Sequence, residues 1–210
     1  LNQIVLQNKA VMYKLLFDSV KKTLLSVSME EKYFGARIGF FSILHTWGQK
    51  LDLHPHIHCV IPGGGYSDKT GRWIRAKHDY FVPVEVLKRR FRSTFLTGLK
   101  CLYNSKQLLL HESKYCDRAS FQNLIDILFS SDWVVYLKET FESSSRVIEY
   151  LGRYTHRIAI SNYRIIKVEN NMVAFSWRDY ANGNKTKTMV LSVMEFIRRY
   201  LLHVVPPRFV

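Results

Sequence analysis

Cysteine is scarce: Cys59, Cys101 and Cys116 are the only three in 210 residues, and no two stand in a CxxC spacing. That excludes a disulfide framework and a thiolate zinc centre. No stretch approaches the roughly 20 apolar residues of a membrane-spanning helix, and Leu1 to Ala10 lacks the charged-then-apolar layout of a signal peptide. A cytoplasmic protein without a membrane partner is expected. Acidic residues are few as well, 17 Asp and Glu against 31 Lys and Arg, which leaves a formal charge of +14. Such an excess selects a polyanion as partner, nucleic acid ahead of an anionic membrane surface, and disfavours hydrolysis of small molecules. No internal repeat or low-complexity linker interrupts the chain. With 47% of residues hydrophobic, it can bury one good core, and residues 1–210 read as a single domain. The chain opens on Leu1 and stops at Val210 soon after Pro206 and Pro207, which reads as a piece of a longer protein.

What is present is strongly patterned. Ile4, Val11, Leu15, Leu16, Val20, Leu24 and Leu25 recur at near-helical period, predicting an amphipathic helix over Ile4–Ser26. Extended runs over Ala36–Trp47 and His54–Ile61, broken at Gly48–Asp52, predict a β-hairpin. Gly63, Gly64 and Gly65 lead into a basic loop with Lys69, Arg72, Arg75 and Lys77. Helices are expected over Val84–Leu110 and Phe121–Phe129, a strand over Trp133–Lys138, and a Ser-capped helix from Ser143–Ser145 to about His156. Three strands follow, Arg157–Val168, Met172–Asp179 and Lys185–Leu191, separated by Asn-rich turns, and a last helix over Val193–Val204. The expected class is α+β, an antiparallel sheet with helices packed on it, plus a C-terminal meander and helix.

Four of the eight histidines fall between positions 45 and 58. In HPHIHCV, strand alternation puts His56 and His58 on one face, roughly 7 Å apart at Cα, a spacing from which two imidazoles can lean onto one cation. A hairpin centred between Lys50 and Leu51 sets His45 opposite His56 on that face, which nominates His45 as third ligand, with Gln49 as the alternative. His54 is expected to flank the site.

Tyr150 and Tyr154 in VIEYLGRYTHR lie four residues apart, on one face of the predicted helix. Phenols titrate near pH 10, so as nucleophiles they need a nearby cation, which Arg153, Arg157 and a bound metal supply. Two aromatics stapling a helix to a core give the same spacing.

Taken together, HTWGQKLDLHPHIHCVIPGGG (His45–Gly65), YLGRYTHRIAISNYRI (Tyr150–Ile165), EFIRRYLLHVVPPRF (Glu195–Phe209) and the opening LNQIVLQNKAVMYKLLF resemble the HUH-type two-tyrosine rolling-circle transposases of bacterial insertion sequences. The resemblance implies an HUH endonuclease-like fold, a divalent metal held by His56 and His58, and attack on DNA by Tyr150 and Tyr154 to give 5′-phosphotyrosine links. It implies Mg or Mn, whereas imidazole-rich sites in general suit Zn, Fe or Ni. Full-length relatives carry a cysteine-rich zinc-binding segment ahead of this core, which is absent from the sequence.

Lys88, Arg89, Arg90 and Arg92 are candidate DNA contacts together with Arg72, Arg75, Arg153 and Arg157. Basic runs interleaved with aromatics, Lys88–Phe95 and Trp177–Tyr180, suit single-stranded DNA, whose bases stack on rings while cations track phosphates. No small-molecule cofactor is expected. The oligomeric state is open. A replication initiator or relaxase, and an inactive nucleic-acid-binding domain, are the rival readings.

The charge alone yields a measurement. The slope of log affinity for DNA against log salt should correspond to at least about four phosphates. Fluorescence titration of a labelled oligonucleotide at several NaCl concentrations gives the slope, and a flat line means that the cations do not face DNA.

Overall fold

The computed structural model describes all residues except 77–81, 112–113, 139–140, 142, 156–158 and 208–210; the side chains of 153–155 and 181 also lie outside the description. The class is α+β, as expected, with antiparallel strands and packed helices. The described strands form a β1–β2 pair, a β3–β4 pair and a three-stranded β5–β6–β7 sheet. Two compact units are distinguished, Leu1–Ile43 with Ile57–Tyr150, and Leu44–His56 with Leu151–Val210. No helix among the described residues is long and apolar enough to cross a membrane.

In the first unit the expected N-terminal helix is two, α1 (Asn2–Gln7) and α2 (Lys9–Met29). Asn8 makes the break: its backbone leaves helical geometry at φ −131°, and its side-chain amide donates to the carbonyls of Ile4 and Leu109. The Leu109 amide donates back to Asn8 Oδ1 at 2.7 Å, so one side chain pins a distant loop as a strand neighbour would. Helix α3 (Val84–Asn104) ends six residues before the expected Leu110. Ser105 Oγ takes up the Cys101 carbonyl and Lys106 turns left-handed at φ 57°, which stops the helix. Helix α4 (Arg118–Ser130) is capped by Asp117, whose carboxylate accepts from the Ser120 amide.

The core of this unit gathers Leu24 and Val27 of α2, Ile38, Val82 and Leu87. Val135 and Leu137 pack against it while Val134 and Tyr136 point to solvent, so Trp133–Lys138 alternates as an extended segment. It joins no ladder among the described residues, contrary to the expected strand; the Trp133 indole N–H instead donates to the Leu128 carbonyl at the end of α4. The expected basic loop is a hairpin, β3 (Gly64–Ser67) paired with β4 (Arg72–Arg75), because Gly71 at φ 62° closes a tight turn.

The histidine strands are β1 (Phe41–Trp47), shorter than expected at its start, and β2 (Leu53–Val60). Their turn closes with the Gly48 amide donating to the Asp52 carbonyl and the Leu51 amide to Gly48. Leu51 adopts φ 58°, the left-handed third position of a three-residue hairpin loop. The turn is thus centred on Lys50, half a residue before the expected point.

Helix α5 (Ser144–Thr155) begins at the serines, with Ser143 Oγ accepting from the Arg146 amide. In the second unit the meander is β5 (Ile165–Glu169), β6 (Met172–Asp179) and β7 (Lys185–Ser192). Asn170 and Asn171 both take positive φ, which a two-residue turn of the mirror type needs. The first strand starts at Ile165 instead of Arg157, since Ala159 and Ile160 are buried in the core and a 3-10 turn over Asn162–Arg164 intervenes. Helix α6 (Val193–Leu201) is capped by Ser192, whose hydroxyl accepts from the Glu195 amide. Leu51, Ala159, Ile160 and Phe175 form the core, with Phe196 packed on it.

Phe175 is fully buried at the centre of that cluster. Phe175→Ala should lower the unfolding free energy by about 3–5 kcal/mol, read from the urea midpoint at unchanged slope.

Candidate metal and tyrosine site

Strand alternation puts His56 and His58 on one side of β2, and His45 comes to them from β1. The ligand nitrogens of His45, His56 and His58 all lie within 4.8 Å of one another, a separation that lets three imidazoles share one cation. His45 is buried and the other two are half-buried. The rings of His45 and His56 stand edge to face, with centroids 5.6 Å apart. His54 is exposed, its ring 5.1 Å from that of His56, and it is outside the triad. The side-chain oxygen of Gln49, the alternative ligand, accepts from the Arg178 amide, and its carbonyl accepts from the Arg164 guanidinium.

Tautomers follow from the hydrogen bonds. His56 Nδ1 lies 2.7 Å from the His54 carbonyl, which can only accept, so Nδ1 carries the hydrogen and Nε2 keeps its lone pair. Burial holds the His56 imidazole below its ordinary pKa, with His54 and His45 adding to the shift against the pull of the His54 carbonyl. Burial thus favours the neutral ring, the form a metal requires. His58 Nδ1 faces the Tyr150 hydroxyl at 3.1 Å. Tyr150 in turn packs on Phe141, with ring centroids 5.2 Å apart.

His45 has a support that sequence reading missed. Trp47, two residues along β1, stacks on it at 4.6 Å, and His203 meets the indole edge to face at 6.0 Å. His203 is buried; its Nε2 faces the Leu51 carbonyl and its Nδ1 the Thr46 hydroxyl. The strand period could have flagged Trp47. Nothing in the spacing points to His203, which lies beyond the last helix.

The remaining candidates divide. Tyr154 and Arg153 lie on α5, with side chains outside the description, and Arg157 lies outside the described residues, as does Lys77 of the expected basic loop. Arg72 and Arg75 are exposed on β4. On α3, Lys88 pairs with Glu85 and Asp132, and Arg90 with Glu30. Arg92 lies over the Phe129 ring at 4.8 Å, while Arg89 is exposed and bonds the Glu85 carbonyl. Successive helical positions point about 100° apart, so this basic run wraps its helix, and half of it is already committed to carboxylates.

A family model described as "Putative transposase" (Y2_Tnp) matches residues 39–210. Over 208 residues the chain is 44% identical to "Putative transposase y4qJ" of Sinorhizobium fredii (strain NBRC 101917 / NGR234), covering 98% of this chain and 52% of that protein. Over 180 residues it is 26% identical to "Transposase for insertion sequence element IS801" of Pseudomonas savastanoi pv. phaseolicola, covering 83% of this chain and 42% of that protein. The chain spans about half the length of these curated relatives. No solved structure matches.

The triad makes a metal-binding forecast. Loss of outer-sphere partners alone costs metal sites about 10- to 100-fold, so Ala at His45, His56 or His58 should each weaken Mn binding at least about tenfold by calorimetry. His54→Ala should leave it unchanged, and affinity should fall as acid protonates the imidazoles.

Proposed function

Since the chain belongs to the Y2_Tnp transposase family, we propose that it is the catalytic core of a rolling-circle transposase, a metal-dependent nuclease that cuts and rejoins single-stranded DNA through 5′-phosphotyrosine intermediates. One observation carries the reading: the Tyr150 hydroxyl sits 3.1 Å from an imidazole of the histidine triad. A family nucleophile and a metal-competent cluster then lie within reach of one phosphate.

His45, His56 and His58 would hold the ion, Mg or Mn in this reading. When bound, it supplies Lewis-acid stabilisation of the non-bridging phosphate oxygens. Tyr150 attacks phosphorus in line with the leaving 3′ oxygen: the phenol O–P bond forms, the P–O3′ bond breaks, and the phenol proton is released while the 3′ oxygen gains one. The phosphotyrosine conserves the energy of the broken diester, so a free 3′ hydroxyl can later attack it and regenerate the tyrosine without ATP. His58 Nδ1 fixes the phenol oxygen before attack, which lowers the orientational cost. Tyr154, four residues on, would serve as the second nucleophile, allowing a second cut while the first end stays attached. Single-stranded transposon ends are the proposed substrate, and the bacterial cytoplasm the proposed compartment, with the protein on the nucleoid when bound to DNA.

Labelled single-stranded transposon ends provide the test. The parent chain with Mn should form a denaturation-resistant adduct carrying the DNA's 5′ end. Tyr150→Phe with Tyr154→Phe should abolish it and leave DNA binding within about twofold, since only hydroxyls are lost. Adducts that persist in the double variant, or that carry the 3′ end, overturn the mechanism.

A further inference from the structure

The triple glycine that follows the histidine strand has no part in the metal site, and the hairpin it opens carries an unusual surface. Tyr66 and Trp73 are direct partners across β3 and β4 and therefore share one face. Both are open to solvent, Tyr66 at 48% and Trp73 at 57%. Arg75, two residues beyond Trp73, projects from the same face, whereas Arg72, opposite Ser67 at the turn end, projects from the other. Neither arginine has an ion-pair partner among the described residues, although Arg37 and Lys69 close by pair with Asp68 and Glu31.

The glycines build this surface. A Cβ on Gly64 would come within 2.5 Å of the Trp73 indole nitrogen and 2.7 Å of the Ile74 carbonyl, so glycine is what lets the indole lean across the backbone of the neighbouring strand. A Cβ on Gly65 would lie 2.7 Å from the Arg37 carbonyl, where the hairpin is bolted to the chain ahead of β1 by reciprocal Arg37–Tyr66 amide bonds of 2.8 Å. The result is a fixed ribbon with two aromatic rings and the Arg75 guanidinium on one face, and Arg75 has no ion-pair partner among the described residues. An apolar protein partner would not call for that guanidinium, whereas a phosphate backbone with unstacked bases calls for both features.

We propose that the β3–β4 hairpin is a second DNA site, at which bases of single-stranded DNA stack on Trp73 and Tyr66 while Arg75 holds a flanking phosphate. The choice of strand rests on the nuclease reading above; the site itself lies outside the histidine triad and Tyr150, and its binding needs neither metal nor a nucleophile.

The test is fluorescence anisotropy with a labelled oligo-dT of about 20 nucleotides, in EDTA so that no cleavage occurs, beside an oligonucleotide of equal length made of abasic sites. Trp73→Ala should weaken oligo-dT binding roughly 5- to 150-fold, the range expected for one lost stacking contact, and leave the abasic strand unaffected. Trp73→Phe, which keeps a ring, should recover most of the loss. Arg75→Ala should weaken both strands alike. Unchanged oligo-dT binding in Trp73→Ala, or equal loss for both strands in that variant, overturns the site. The two readings separate cleanly. Covalent transfer by the parent chain with Trp73→Ala binding normally removes this site and keeps the nuclease; selective loss in Trp73→Ala without covalent transfer does the reverse.

Discussion

The turn that joins the two histidine strands is the constraint on which the candidate site depends. Leu51 sits there in the left-handed region, a conformation costing an L-residue roughly 1–2 kcal/mol, and is completely buried. Burying a leucine is worth about 1.5–3 kcal/mol, so the core holds the strained turn in place. Hydrogen bonds then fix it from three directions: Arg164 and Arg178 grip Gln49, Arg199 takes the Lys50 carbonyl, and His203 faces the Leu51 carbonyl. The turn so fixed holds the near ends of β1 and β2, the strands that carry His45 and His56.

Arg164 shows the cost of this arrangement. It is half-buried, lies 6.0 Å from the Phe175 ring centroid, and spends two of its nitrogens on the carbonyls of Gln49 and Ser176. Desolvation pulls its pKa below the usual value, against the nearby Tyr163 and Tyr180, yet guanidinium stays charged at any physiological pH. A lysine there would offer one nitrogen where two are used. The excess positive charge of the chain therefore has at least two occupations, holding its own backbone and meeting an external anion, and composition cannot tell them apart.

What could be read in advance followed from local periodicity. Alternation in HPHIHCV was enough to place His56 and His58 on one side, the serines before Arg146 to start α5, and the paired asparagines at 170 and 171 to turn β5 into β6. What could not be read depended on partners distant in the chain. Asn8 breaks a helix whose apolar stripe runs on unbroken, because its amide is wanted by Leu109. Trp133–Lys138 has the composition of a strand and one face on a core, but composition does not provide a neighbour to pair with. Lys88 and Arg90 looked available until Asp132 and Glu30 were brought to them. His203 could not be connected to Thr46 by any motif.

The clamps on the histidine turn also lie far downstream, with sequence separations of 115, 149 and 152 residues. A ribosome adds about 5–20 residues per second, so β1 and β2 emerge on the order of ten seconds before Arg164, Arg199 and His203 exist. During that interval the strained Leu51 turn has nothing to hold it, and the histidines have no fixed spacing. A nascent or prematurely terminated polypeptide therefore carries every triad residue without the scaffold that gathers them, and the order of translation delays assembly of the centre until His203 has been made.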